Sequence, residues 1–313
     1  MEYSFLRLNF NTGVHFGEDA LEDSSTHLRA DTIFSAMCIE ALEIGGEELL
    51  DKLVSFVRNG KLLLSDAFPL IKNEYYLPKP IYSVQAETEH DSSAKKVFKK
   101  LSYIPFDKVD EYTKGEFNEN TVDGIVKKLS ELGESYVHTK GAVSYEKDTL
   151  PYHVGVYTFK KDAGLYIVVG GDSDSMLLMR ELFTSLSYAG IGGRRSSGLG
   201  RFSYTVENLP ENHVASLTSE FPAYMTLSLS LPKKNEIESV INDSNSTYAL
   251  IRRSGFVYSG TYSNEPLRKK DFYALASGSI VRNKYCGDVF DVSNKGAHPV
   301  YRYAKPLFMG VKL

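Results

Sequence analysis

Tryptophan is absent from the 313 residues, and cysteine occurs only as Cys38 and Cys286. Two thiols outside any CxxC spacing supply neither a disulfide framework nor a zinc ligand set, which predicts a reducing, cytoplasmic setting. Cys38 falls in an apolar helical pattern, where a buried free thiol is the plain expectation. No uninterrupted apolar run approaches the roughly 20 residues that cross a bilayer, and the opening MEYSFLRLNF alternates where a signal peptide carries an apolar core. HExxH, EF-hand and GxSxG patterns are all missing, so the sequence offers no metal site, no cofactor and no nucleophile elbow.

What is present is ordinary globular material, 42% apolar and 24% charged, with 21 Tyr and 17 Phe. At roughly 150 residues per domain the length implies two domains. The net charge of −4 argues mildly against a polyanionic partner, but the charge is unevenly spread. Residues 250–313 hold 11 Lys and Arg against 4 Asp and Glu, whereas residues 1–249 hold 25 against 36. A basic end on an acidic chain fits a protein with one polyanion-facing wall and other surfaces for protein partners.

Residues 3–10 alternate as a strand with Tyr3, Phe5 and Leu8 on its apolar side. ADTIFSAMCIEALEIG reads as a helix, capped by Asp31 and ended by Gly45-Gly46, and a second helix at about 47–58 runs into Gly60 and the strand KLLLSDAFPL. Residues 73–150 lack a long apolar pattern. They carry Glu87, Glu89 and Asp91, then Lys95, Lys96, Lys99 and Lys100, and read as an inserted surface segment with a short helix near 122–132. Taken alone, the lysine cluster is a solvated helix face. Residues 153–170 read as a hairpin around Lys160-Lys161-Asp162, and Asp172 caps a helix whose apolar side is Met176, Met179, Leu182, Phe183 and Leu186. RFSYTVEN closes the unit as a strand, which gives a ferredoxin-like (RRM-like) α+β expectation for residues 1–208. After a linker at 208–221, residues 222–313 supply strands, one helix (NEIESVIN) and a second unit of the same class.

The densest signal is GIGGRRSSGLGRF. Gly190, Gly192, Gly193, Gly198 and Gly200 are five of the chain's 24 glycines, and Arg194, Arg195 and Arg201 stand among them with no acid. The run lacks the Lys-Ser/Thr of a Walker A loop, and its order of helix, loop and strand reverses the dinucleotide-binding arrangement. Glycines permit positive φ and close backbone approach, arginine forks bind phosphate in pairs, and Ser196 and Ser197 add short donors. Such a loop suits a linear polyanion better than a mononucleotide.

The same run resembles the glycine-rich loop of the RAMP superfamily of CRISPR-associated proteins, which bind CRISPR RNA. Further stretches at 15–37, 64–81 (with LPKPI), 252–260, 268–279 (RKKDFYALASGS) and 298–308 are similar to the fourth-subunit family of type III-A (Csm) effector complexes, over essentially the whole chain. The resemblance implies two RRM-like domains with a thumb inserted at about 73–150. It also implies a grip on the repeat-derived 5′ handle of the CRISPR RNA by residues 190–201 and His15. Arg252, Arg253, Ser254 and Gly255, with Gly278 and Ser279, would close over the handle from the second domain. The implied partners are the large polymerase/cyclase-type subunit and the adjacent backbone RAMP subunit, and the lysine cluster would face RNA or a partner.

Some RAMP relatives cleave RNA through a general acid/base histidine. His15 and His27 are the residues to weigh here, but nothing in the sequence pairs either with a second acid/base group. A loop histidine bonded to backbone or phosphate is the simpler account, and His298 in AHPVYRY reads the same way. The expectation is therefore a non-catalytic RNA-binding subunit. Its rivals are a metal-independent endoribonuclease on the same fold and a module that binds a mononucleotide.

Overall fold

The computed structural model describes residues 1–17, 20–82, 92–143 and 148–313, excluding the side chains of 92–95. In chain order the first half runs β1 (Glu2–Phe10), α1 (Ala30–Arg58), β2 (Leu62–Ile71), β3 (Glu74–Pro78), α2 (Ser92–Lys100), β4 (Tyr103–Pro105), α3 (Val109–Thr113), α4 (Glu119–Leu129), β5 (Gly133–Ala142), β6 (Leu150–Phe159), β7 (Ala163–Gly171), α5 (Ser173–Ala189) and β8 (Phe202–Asn208). The second half follows with α6 (Glu211–Thr218), β9 (Ala223–Thr226), α7 (Ile237–Ile241), β10 (Leu250–Arg253), β11 (Phe272–Leu275), β12 (Ile280–Val281), β13 (Asp288–Asp291), β14 (Tyr301–Ala304) and β15 (Phe308–Val311). The class is α+β, and every strand pairing among the described residues is antiparallel.

One six-stranded sheet, in the order β4-β3-β2-β7-β1-β8, carries the first half. Both its faces are covered, so its central strands bury residues of either parity. On β1, Leu6 and Leu8 join the core beneath α1 and α5, while Phe5 joins a second core on the opposite face. β7 divides likewise, with Leu165, Ile167 and Val169 under the helices and Tyr166 and Val168 beyond. Leu8 therefore lies on the other face from Phe5, contrary to the single apolar side expected of residues 3–10.

The second core explains why residues 73–150 are more than a surface insertion. Leu101, Ile104, Phe106, Val109, Val122 and Ile125 pack there with Met225, Leu227, Ile280 and Leu307 from the second half. Their spacing is too irregular for one apolar stripe because they come from short strands and helices that each contribute one or two residues. β3 and β4 extend the main sheet, whereas β6 pairs with β5 along its whole length and not with β7. The hairpin expected at 153–170 is thus two strands joined at Asp162 (φ 61°) that belong to different sheets. Lys96, Lys99 and Lys100 are exposed on α2; the side chain of Lys95 and residues Glu87, Glu89 and Asp91 lie outside the described residues.

α1 departs from helical geometry once, at Gly46 (φ 65°, ψ −156°), where the sequence places the break between two helices. Asp31 is not its cap. Arg29 holds that position without a side-chain bond, and the free amide of Ala30 donates instead to Asp66 Oδ1 at 2.8 Å. Asp66 turns inward because β2 bulges between Leu64 and Ala67, and it also accepts from Leu229 N at 3.0 Å. α5 matches its sequence pattern: Asp172 accepts from Ser175 N at 3.0 Å in a capping box, and Met176, Met179, Leu182, Phe183 and Leu186 are buried.

The segment 208–221, read as a linker, contains α6, which buries His213 and Leu217. In the second half β9 lies between β12 and β15, while β10-β11 and β13-β14 form separate pairs. The chain after β9 stays extended and reaches both pairs, since Leu275 N donates to Ser230 O at 2.8 Å and Leu231 N to Ala304 O at 3.0 Å. Among the described residues α7, five residues long, is the only helix after α6, so the strand-rich pattern of the sequence yields three short sheets in place of one four-stranded sheet.

Candidate functional site

The glycine-arginine loop leaves α5 at Gly190 and returns to β8 after Gly200, and its neck is closed by Ile191 N donating to Gly200 O at 2.9 Å. A Cβ on Gly200 would stand 2.1 Å from Ile191 O, and φ there is +81°. Gly192 (φ +98°) lies against the Phe16 ring, and Gly193 N donates to His15 O at 2.8 Å. Most of the loop's glycines are thus required by protein packing on protein, which sets the loop rigidly on the 13–16 segment. Gly198 (φ +84°) is the exception, with open space where its side chain would be.

The seated loop forms one wall of an open cleft of about 470 Å³ between α1 and the second half. Gly192, Gly193, Arg194, Arg195 and Ser196 line it from the loop, His15 and Phe16 from below, and Arg253 and Ser254 from the opposite side. Residues some sixty positions apart in sequence are thereby joined. Ser197, Gly198 and Arg201 do not line the cleft, and Gly190 and Gly200 are in the neck.

The two arginines of the loop do different work. Arg195, 15% exposed, reaches Glu40 Oε1 at 3.5 Å and Gly190 O at 3.4 Å, with its guanidinium over the Tyr258 ring. Glu40 is 1% exposed and also accepts from Ser185 Oγ at 2.6 Å, so Arg195 neutralises a buried charge of the fold. Arg194 has no ion pair among the described residues and rests over Tyr152, leaving its donors toward the cleft.

Successive strand residues point to opposite faces, so only one of Arg252 and Arg253 can enter the cleft. It is Arg253. Arg252 is exposed on the other face, bridged to Asp271 at 2.7 Å. Gly278 and Ser279 do not line the cleft. Gly278 packs on Lys79 O, and Ser279, fully buried, donates its hydroxyl to Ala276 O at 2.7 Å and has no surface for a ligand.

Asp31, Tyr258, Lys269, Tyr301 and Arg302 also line the cleft, and no sequence motif assigned them there. Asp31, 2% exposed, accepts from Arg253 Nε at 3.0 Å, Arg253 Nη2 at 3.1 Å and Arg302 Nη1 at 2.5 Å. Burial pushes its carboxyl up, but the two guanidinium groups outweigh this and hold it below its ordinary range. Burial lowers the Lys269 ammonium, helped by Arg302. Lys269, Tyr301 and Arg302 fall in the stretches 268–279 and 298–308, but no local pattern pairs them with Asp31 more than 200 residues earlier. Among the described residues, five Lys and Arg side chains and one carboxylate line the cleft.

His15, buried, commits Nδ1 to Gly155 O at 2.7 Å, and His27 lines the same cleft. Among the described residues there is no group of three His, Cys, Asp or Glu side chains able to hold a metal, and no helix long and apolar enough to cross a membrane.

Comparison with known proteins gives this arrangement a context. The model of the CRISPR Csm4 C-terminal domain family matches residues 219–311. A protein of Mycobacterium tuberculosis (strain ATCC 25618 / H37Rv) named CRISPR system Cms protein Csm4 is 37% identical over 316 residues, covering 99% of this chain and 98% of its own. One of the same name from Streptococcus thermophilus is 33% identical over the full length of both. Among solved structures, a chain of a Csm3-Csm4 subcomplex of the type III-A CRISPR-Cas interference complex superposes with TM-score 0.68 at 20% identity, covering 99% of this chain and all of that one. A chain of a Csm1-Csm4 cassette in complex with cA4 gives 0.62 at 18%, covering 99% and 98%. At those identities the likeness to the solved structures is one of fold.

Proposed function

The chain belongs to the Csm4 family of CRISPR proteins, and on that premise we propose that it is a non-catalytic subunit of a type III-A effector complex that holds the repeat-derived 5′ handle of the CRISPR RNA in the cleft between its two halves. The observation that carries this reading is the meeting of Arg194, Ser196, Arg253, Lys269 and Arg302, drawn from both halves, around one open cleft that has a single carboxylate among the described residues. A single strand of RNA presents phosphates at close intervals and exposed bases, which cationic walls and the nearby rings of Tyr258 and Tyr301 accommodate together.

In this reading residues 1–208 are a ferredoxin-like domain, because β2-β7-β1-β8 with α1 and α5 is the order of a split βαβ pair. The thumb is the inserted segment at about 73–150, of which β5 is part, and residues 222–313 are assigned to the same class by family resemblance. Solved relatives bound to Csm1 or Csm3 support two protein-facing surfaces, one for the large polymerase/cyclase-type subunit and one for the adjacent backbone RAMP subunit. The acid excess of residues 1–249 supports a chain that meets RNA on one side only.

The test is handle-RNA affinity over a salt series. Arg194→Ala is expected to weaken binding and lower the log–log salt slope by about 0.7, one phosphate contact on a single strand. An unchanged slope and affinity would remove Arg194 from the interface. The endoribonuclease alternative has one observation in its favour, that His15 and His27 share the cleft. It requires metal-free cleavage of repeat RNA that His27→Ala abolishes.

A further inference from the structure

We infer that the floor of the cleft is a discrete seat for one phosphate group, formed by Lys269 with Arg253 and Arg302, and that its occupancy fastens the two halves of the chain to each other. This deepens the RNA reading and rests on it for the source of the phosphate.

The charge count at the floor is the starting point. Among the described residues that line the cleft, Asp31 supplies the one negative charge, and both its oxygens are already engaged, Oδ2 by Arg253 and Arg302 and Oδ1 by Arg253. Against it stand two guanidinium groups and the Lys269 ammonium, which has no hydrogen-bond or ion-pair partner among the described residues. Arg302 is 5% exposed, and its buried Nε has no partner either. A half-buried ammonium without a counter-ion is costly, and an anion on the cleft side of Lys269 supplies one. Phosphate matches the site, where the Lys269 ammonium stands beside the guanidinium groups of Arg253 and Arg302, each already turned partly to Asp31, and the three cations come from three chain segments.

The location supplies the second part. Asp31 belongs to α1 of the first half, while Arg253, Lys269 and Arg302 belong to the second, so an anion here lies on the seam. Lys269 also marks a boundary. It lines an adjoining hollow of about 580 Å³, whose far wall carries Glu43, Glu47 and Asp51. A polyanion meets repulsion beyond Lys269, so the favourable potential ends at the seat.

The experiment uses the full chain with inorganic phosphate and, separately, with handle RNA. Phosphate at saturation is expected to raise the melting temperature by about 2–4 °C over chloride of equal ionic strength. Lys269→Met should abolish that rise and Lys269→Arg preserve it, with each variant's melting temperature in chloride serving as its folding control. In the RNA arm, Lys269→Met should weaken binding about tenfold. An equal phosphate response in wild type and Lys269→Met would overturn the seat, as would unchanged RNA affinity in Lys269→Met. If wild type responds to phosphate yet does not bind handle RNA, the seat stands and the RNA reading falls. If wild type binds RNA through Arg194 but shows no phosphate response, the reverse holds.

Discussion

Asp31 accepts three guanidinium hydrogen bonds from residues 222 and 271 positions away, and among the described residues it is the one carboxylate that lines the cleft. Asp31→Asn leaves two arginines without their buried counter-charge and is expected to cost about 3 kcal/mol of stability by urea unfolding. Its pH dependence has a definite sign. The folded carboxyl titrates below its ordinary 3.8, so its contribution is complete above about pH 4 and is lost as pH falls through the folded value. Wild type should lose stability on that acid limb more steeply than Asp31→Asn; parallel curves would show that Asp31 does not titrate under the seam. Arg195→Ala strands Glu40 and should destabilise by about 3 kcal/mol, whereas Arg194→Ala should change stability by less than about 0.5 kcal/mol while weakening RNA binding. The two loop arginines, alike in sequence, are separated by measuring unfolding and affinity on each single variant. No local pattern distinguishes them, because the partner of Arg195 lies on α1.

Among the elements, those with their own periodicity and caps were legible. α5 has an acidic cap and a regular apolar stripe, and α1 shows its break as two adjacent glycines. Gly46 sits at φ 65°, ψ −156°, a region open almost solely to glycine. Gly46→Ala is therefore expected to cost about 1–3 kcal/mol although no atom stands within 4 Å of the new Cβ, and an unaltered urea midpoint would contradict this. What the sequence concealed were the elements stabilised from outside. β3, β4 and α6 are short and lack a full stripe, and the helix start at Ala30 is capped by an aspartate on β2. The loop was read correctly as glycine-dependent, but four of its five glycines answer to protein neighbours rather than open space.

For the whole molecule, the sign change along the chain proved more informative than its total, because the C-terminal segment brings Arg253, Lys269 and Arg302 to a seam with α1. The halves share a buried core as well as the cleft, so RNA bound between them contacts a single folded body. The central claim is that this cleft holds the 5′ handle. It is tested most directly by ultraviolet crosslinking of the protein in its native assembly, sequencing the bound RNA and mapping the crosslinked peptides. The account predicts RNAs that share one repeat-derived 5′ end, with handle nucleotides joined to peptides containing Phe16, residues 192–196 or Tyr258. Handle nucleotides crosslinked only outside the cleft, or RNAs without a common 5′ end, would contradict it.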